Sequence, residues 1–147
     1  MGKANQELSE YLEQVNIFAW RNIESVKYPE LRLLTASANG VKLSIGLAMK
    51  ARRAGMLPKG YPDLFMPVKR GEYSGLFIEL KKKGGRKPKP EQADWLMALS
   101  EQGYACYCCK GSQAAIKIIE DYLLGRIKKN GSRSEVTPHD SREEVPK

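Results

Sequence analysis

Gly75-Leu76-Phe77-Ile78-Glu79-Leu80-Lys81, with Gly60-Tyr61-Pro62-Asp63 upstream of it, is the stretch that decides how this chain folds. Its alternation predicts a half-buried strand, with Leu76, Ile78 and Leu80 towards a core and Phe77, Glu79 and Lys81 sharing the other surface. An Asp63 at the start of a neighbouring strand brings its carboxylate towards that of Glu79. Two such carboxylates make a hard, oxygen-rich seat for Mg²⁺ or Mn²⁺, and Lys81 stands beside it. Phosphodiester hydrolysis needs this combination, because the phosphate anion repels a nucleophile. The site must therefore bind the phosphate, activate a water and stabilise the leaving alkoxide.

Working outward, residues 64–68 read as a strand that reaches the Glu79 strand through the turn Arg70-Gly71-Glu72-Tyr73-Ser74-Gly75, an antiparallel hairpin. Upstream, Leu43, Ile45, Leu47, Ala48 and Ala51 predict a helix over 43–53 that stops near Gly55. Asn39-Gly40 marks a turn, and 31–36, after Pro29, a short strand. Leu8, Tyr11, Leu12, Val15, Phe18, Ala19 and Trp20 recur at helical spacing and predict a first helix over 8–23. Downstream, Pro90-Glu91 opens a helix carrying Gln92, Trp95, Leu96 and Leu99, with Gly103 past its end. Trp20 and Trp95, by their spacing, are expected in the core. Residues 104–109 predict a fourth strand. Ser112 is expected to cap a last helix with Ala115, Ile116, Ile119, Tyr122 and Leu123 as its apolar stripe. The expected class is α/β, a mixed sheet flanked by helices in the order α-β-α-β-β-α-β-α.

The 147 residues suffice for one compact domain, and 41% hydrophobic content agrees with a globular class. We place the domain at 7–124, because 125–147 holds almost no apolar anchor and is expected to be a flexible polar tail. No apolar run approaches the roughly 18 residues of a membrane span, and Met1-Gly2-Lys3-Ala4-Asn5-Gln6-Glu7 lacks the apolar core of a secretory signal. A cytoplasmic protein is the expectation. Cys106, Cys108 and Cys109 crowd one strand without a second cluster, and the one histidine, His139, lies in the polar tail. That spacing speaks against a disulfide framework and against a four-ligand zinc site, and leaves small residues on a buried strand.

Charge points to a polyanionic partner: 25 Lys and Arg stand against 17 Asp and Glu, a formal net charge of +8. Six cations, Lys81, Lys82, Lys83, Arg86, Lys87 and Lys89, follow in quick succession with no acid among them. Beyond Lys81 of the site itself, the loop residues Lys82, Lys83, Arg86, Lys87 and Lys89 are candidates for DNA-backbone contact, which salt weakens steeply.

Gly55-Met56-Leu57-Pro58-Lys59-Gly60-Tyr61-Pro62-Asp63-Leu64, Gly75 to Lys81, and Pro90-Glu91-Gln92-Ala93-Asp94-Trp95 together resemble the VRR-NUC branch of the PD-(D/E)XK nuclease superfamily. The resemblance spans most of 7–124 and is to the short stand-alone members of phages and bacteria. It implies a restriction-endonuclease-like fold, divalent-metal endonuclease activity on DNA in the bacterial cytoplasm, preference for branched or four-way-junction (Holliday junction) DNA, and a homodimer. It also implies that Asp63 and Glu79 are metal ligands, that Lys81 is the charged catalytic residue, and that Gln92 is the helix glutamine near the site. The family's first-helix glutamate matches Glu13 best, as a further catalytic residue and metal ligand, with Glu10 its competitor in the same turn. Where the family usually has Gly-Val-Pro-Asp or Gly-Ile-Pro-Asp, this chain has Gly60-Tyr61-Pro62-Asp63, which alters packing but not ligand chemistry. The alternative class is a non-catalytic DNA- or RNA-binding module on an inactive nuclease fold. Without an added recognition domain, shape recognition is favoured over the reading of a base sequence.

Overall fold

A computed structural model describes residues 3–128, in the order α1 (Lys3–Glu24), a 3₁₀ turn (Pro29–Leu33), β1 (Thr35–Ala36), α2 (Ile45–Arg53), β2 (Leu64–Met66), β3 (Leu76–Lys81), α3 (Pro90–Glu101), β4 (Ala105–Lys110) and α4 (Ser112–Leu123). The expected element order holds. From residue 129 the expected tail lies outside the described residues, as does His139.

The four strands lie in the order β1-β2-β3-β4. β1 and β2, and β2 and β3, pair antiparallel, whereas β3 and β4 pair parallel. A parallel pair cannot be closed by a tight turn, so the chain crosses over through α3. α3 packs on β4, while α1 and α4 pack on each other and on β3. The sheet is thereby covered on both faces.

This two-sided cover changes the reading of β3. Leu76, Ile78 and Leu80 join the larger core with Ile17, Leu31, Ala115, Ile119 and Tyr122. Phe77 points the other way, into a second cluster with Leu96, Cys106 and Cys108. The alternation is as expected, but the strand is buried on both faces rather than half-buried, because α3 covers the Phe77 side. Glu79 and Lys81 therefore sit in the interior. The three cysteines are free and buried on β4, and burial pushes the Cys106 thiol up to about 12 and the Cys108 thiol up to about 11, so neither is a thiolate at neutral pH.

Other expectations shift. The strand expected over 31–36 is mostly the 3₁₀ turn, because Pro29 favours a first helical turn there, and only Thr35 and Ala36 pair with β2. Among the described side chains of α1 the fully buried one is Ile17, whereas Tyr11, Leu12 and Val15 are 62%, 52% and 42% exposed. The expected stripe is largely a surface feature, since α1 meets the core with its later turns. Trp20 and Trp95 are partly buried; the Trp95 indole N–H donates to the Lys59 carbonyl at 2.9 Å. Among its described residues α2 buries none, though it carries Ile45, Leu47 and Met49. Ser112 is the first residue of α4 rather than its cap; Gly111 holds the cap position at φ +89°, a left-handed conformation that glycine adopts without cost.

Candidate active site

The antiparallel register sets Leu64 opposite Ile78, and one step further along it brings Asp63 opposite Glu79. Asp63 Oδ2 accepts the Leu80 backbone N–H at 2.7 Å, which fixes its carboxylate against β3. Pro62 is fully buried and gives the approach to Asp63 a rigid backbone.

α3 completes the centre from the other side. Gln92 Oε1 accepts Lys81 Nζ at 2.9 Å and also the Lys89 backbone N–H at 2.9 Å, one half of a capping box at the start of α3. Gln92 Nε2 donates to Glu79 Oε1, and Lys81 Nζ lies 3.2 Å from that same oxygen. One glutamine thus holds both the acid and the base of β3. Gly60 lets the Asp63 loop approach this helix: at φ +82°, a Cβ there would stand 2.6 Å from the Glu91 carbonyl oxygen.

Burial makes the pair electrostatically unusual. Glu79 is 2% exposed, and burial, followed by the nearby Asp63 charge, holds its carboxyl well above the ordinary carboxylate range. Burial likewise raises Asp63, opposed by the Leu80 N–H and the Lys81 charge. Glu79 Oε2 is buried without a hydrogen-bond partner, whereas Oε1 has two. An orphaned carboxylate oxygen beside a second carboxylate suits a hard divalent cation. Among the described residues no three His, Cys, Asp or Glu side chains converge to hold a metal. A cation here would complete its shell with water and substrate oxygens, as Mg²⁺ ordinarily does.

The two first-helix candidates part company. Glu13 Oε2 accepts the Ser112 backbone N–H at 2.6 Å, at the start of α4, so the expected ligand is engaged as a helix-end acceptor instead. Glu10, one turn earlier, lines the cleft with Asp63 and Glu79, and its charge helps raise both. The geometry brings Glu10, and not Glu13, to the acid centre.

The cleft over this centre has a volume of about 870 Å³. Of the predicted DNA-contact residues only Lys89 lines it; Lys82, Lys83, Arg86 and Lys87 lie on the loop outside. Its other cations, Lys42, Arg52 and Lys59, come from the segment around α2 and were missed. Their signal in the sequence was faint: Arg52, in the last turn of α2, reads first as a partner of the helix dipole, and Lys42 and Lys59 are single cations in the flanking loops.

The VRR-NUC domain family model matches residues 4–113, from α1 through all four strands to the start of α4. A solved structure of a VRR_NUC domain protein is 29% identical, with a TM-score of 0.66, over 79% of this chain and 88% of that one. Among curated proteins none matches. A family match over most of the chain, carried by the same strands and helix that build the acid centre, makes this chain a member of the VRR-NUC family, which is of nuclease type.

Proposed function

We propose that the protein is a divalent-metal-dependent endonuclease that hydrolyses DNA phosphodiester bonds, selective for branched or four-way-junction DNA and acting as a homodimer. The observation that carries the hydrolytic reading is the half-buried Asp63 beside the buried Glu79, with an unpartnered Glu79 oxygen, at the floor of a cation-rimmed cleft. Asp63 and Glu79 would hold Mg²⁺ or Mn²⁺, with Glu10 supplying further negative charge from α1. A bound cation supplies positive charge that draws electron density from the phosphate oxygens and makes a nearby water more acidic.

The chain's own groups do the positioning. Lys81 presents its ammonium where charge grows on the oxygens around the pentacovalent phosphorus, and a fixed, buried cation stabilises that charge far better than a mobile one. Gln92 keeps Lys81 and Glu79 aimed at one point by bonding both. The cleft rim, through Lys89, Arg52 and Lys59, gathers the phosphate backbone.

The homodimer is supported by the surface of α1, where Tyr11, Leu12 and Val15 are exposed on a single face. A two-fold pair would place two sites on the two equivalent strands of a junction. Sedimentation at micromolar concentration is expected to give a dimer; a monomer with and without DNA would count against paired cutting.

The deciding assay compares labelled four-way junction, flap, single-stranded and duplex DNA in Mg²⁺, Mn²⁺ or EDTA, with the natural chain and Glu79→Ala. Symmetrical, metal-dependent junction cuts that vanish in the variant support the reading. Binding without cutting under every metal would instead mark a non-catalytic DNA-binding module.

A further inference from the structure

α2 is anomalous for an element of a small domain. None of its described residues is buried, so it adds nothing to either core. A nine-residue helix is marginal by itself in water, and ordering it costs conformational entropy that core burial does not here repay. Its order comes from the anchors around it. Ser44 caps its N-terminus, Asn39 Nδ2 donates to the carbonyls of Pro58 at 3.0 Å and Tyr61 at 3.3 Å, and the Trp95 indole N–H grips the Lys59 carbonyl. The segment 39–61 is therefore an arm tied down at its base, with α2 standing over the cleft.

What the arm shows to the cleft is mixed. Arg52 and Lys59 supply charge, while Val41, Leu57 and Tyr61 supply apolar and aromatic surface, all lining the same space as Asp63 and Glu79. Lys59 also reaches across the rim to Glu91 of α3 at 3.6 Å. That pair is largely exposed and holds little energy, so a phosphate can take the place of the Glu91 carboxylate. Cations alone would suit the outside of any duplex. Apolar groups interleaved with them suit bases, and a duplex hides its base faces in the stack whereas an unpaired strand presents them.

We propose that the arm is a clamp for an unpaired stretch of DNA strand, with phosphates on Arg52, Lys59 and Lys89 and a base against Val41, Leu57 and Tyr61. This deepens the nuclease reading and rests on it for the choice of DNA. The strand is held so that one phosphate descends to the acid centre, and a strand that unpairs at the branch point is the part of a junction that can enter.

The test is fluorescence anisotropy in EDTA, which reads binding apart from cleavage, with a labelled oligothymidylate and a blunt duplex of equal length. The wild-type protein should bind the single strand about 10-fold more tightly than the duplex. The double variant Arg52→Gln, Lys59→Gln should lose about 10-fold in strand affinity and flatten the salt dependence by roughly 1.4, from about 0.7 for each phosphate no longer neutralised. Val41→Ser should weaken strand binding about threefold with the salt slope kept, and Arg53→Gln, whose residue lies off the cleft, should bind as wild type. All four side chains are exposed, so equal melting temperatures across the set establish that folding is intact. Equal affinity for strand and duplex, or a double variant that binds the strand as wild type does, overturns the clamp. Strand affinity that falls only in step with loss of self-association assigns the arm to a second copy and also overturns it. If the binding pattern holds while no metal supports cutting, the clamp stands and the nuclease reading falls. If junctions are cut while the arm variants bind as wild type, the clamp alone falls.

Discussion

Glu13 Oε2 accepts the backbone N–H of Ser112 at 2.6 Å, so the acid one turn nearer the middle of α1 stabilises the start of α4 while Glu10 faces the cleft over Asp63 and Glu79. The two glutamates should therefore separate on mutation. Glu13→Ala should lower stability by about 1–2 kcal/mol, the worth of a charge-assisted bond at a helix end, and leave cleavage of the folded protein within about threefold. Glu10→Gln removes a like charge from Asp63 and Glu79, so it should not lower the melting temperature, and it should slow cleavage about 10- to 100-fold, as loss of a group supporting a metal centre does. Thermal melts and single-turnover cleavage on both variants check this, and the reverse pattern would return the role to Glu13.

Gln92 bonds both Lys81 and Glu79, so its loss should loosen the two together. Gln92→Ala is expected to slow cleavage about 100-fold, the scale of a misplaced catalytic group, with a smaller effect on DNA affinity in EDTA. Gln92→Glu should be worse, because it sets a third carboxylate against a pair that already disfavours ionisation. A variant that cuts at the wild-type rate would remove Gln92 from the centre.

The raised pKa values of Asp63 and Glu79 make a pH prediction for the protein in EDTA. A carboxyl whose folded pKa is raised holds its proton more tightly folded than unfolded. Its contribution is full below the ordinary value near 4 and is lost as pH climbs through the raised folded value. Glu30, Glu91 and Asp121, whose pKa values are lowered, are already ionised above that range. The melting temperature should thus fall between about pH 5.5 and pH 8. Glu79→Gln should flatten that fall, and Mn²⁺ should restore stability most at the alkaline end. A level profile in the wild-type protein would contradict this account of the pair.

Gly60 stands at φ +82° with the Glu91 carbonyl oxygen 2.6 Å from where a Cβ would lie. Gly60→Ala should cost at least about 1–2 kcal/mol from the left-handed backbone alone, and the clash should push the Asp63 loop away from α3. Cleavage should then fall along with stability, and calorimetry with cleavage assays on the same sample would show both. Gly55→Ala, also at positive φ but with open space around it, should affect stability and spare cleavage.

The element order was legible because alternation on β3, helical spacing in α3 and α4, and the proline and glycine punctuation are local signals that survive without tertiary context. The placing of Asp63 beside Glu79 was legible too, since a short hairpin admits few registers. The exposure of α1 was not: Tyr11, Leu12 and Val15 fit a buried stripe as well as Ile17 does, and only the packing of α4, the 3₁₀ turn and β3 against the helix decides which side is covered. The burial of Phe77, Glu79 and Lys81 was likewise invisible, because the cover comes from α3, which enters only when the β3 to β4 crossover closes.

By itself, then, the sequence determined which residues make up the candidate centre: a Pro62-Asp63 step, a strand bearing Glu79 and Lys81, and a helix bearing Gln92. Tertiary structure alone decided which of Glu10 and Glu13 reaches them, which cations rim the cleft, and that Glu79 is buried while Asp63 stays half-buried beside it. The reason is range. Side-chain period and turn chemistry act over a few residues, whereas contacts such as Glu13 to Ser112, 99 positions apart, exist only after distant elements have packed.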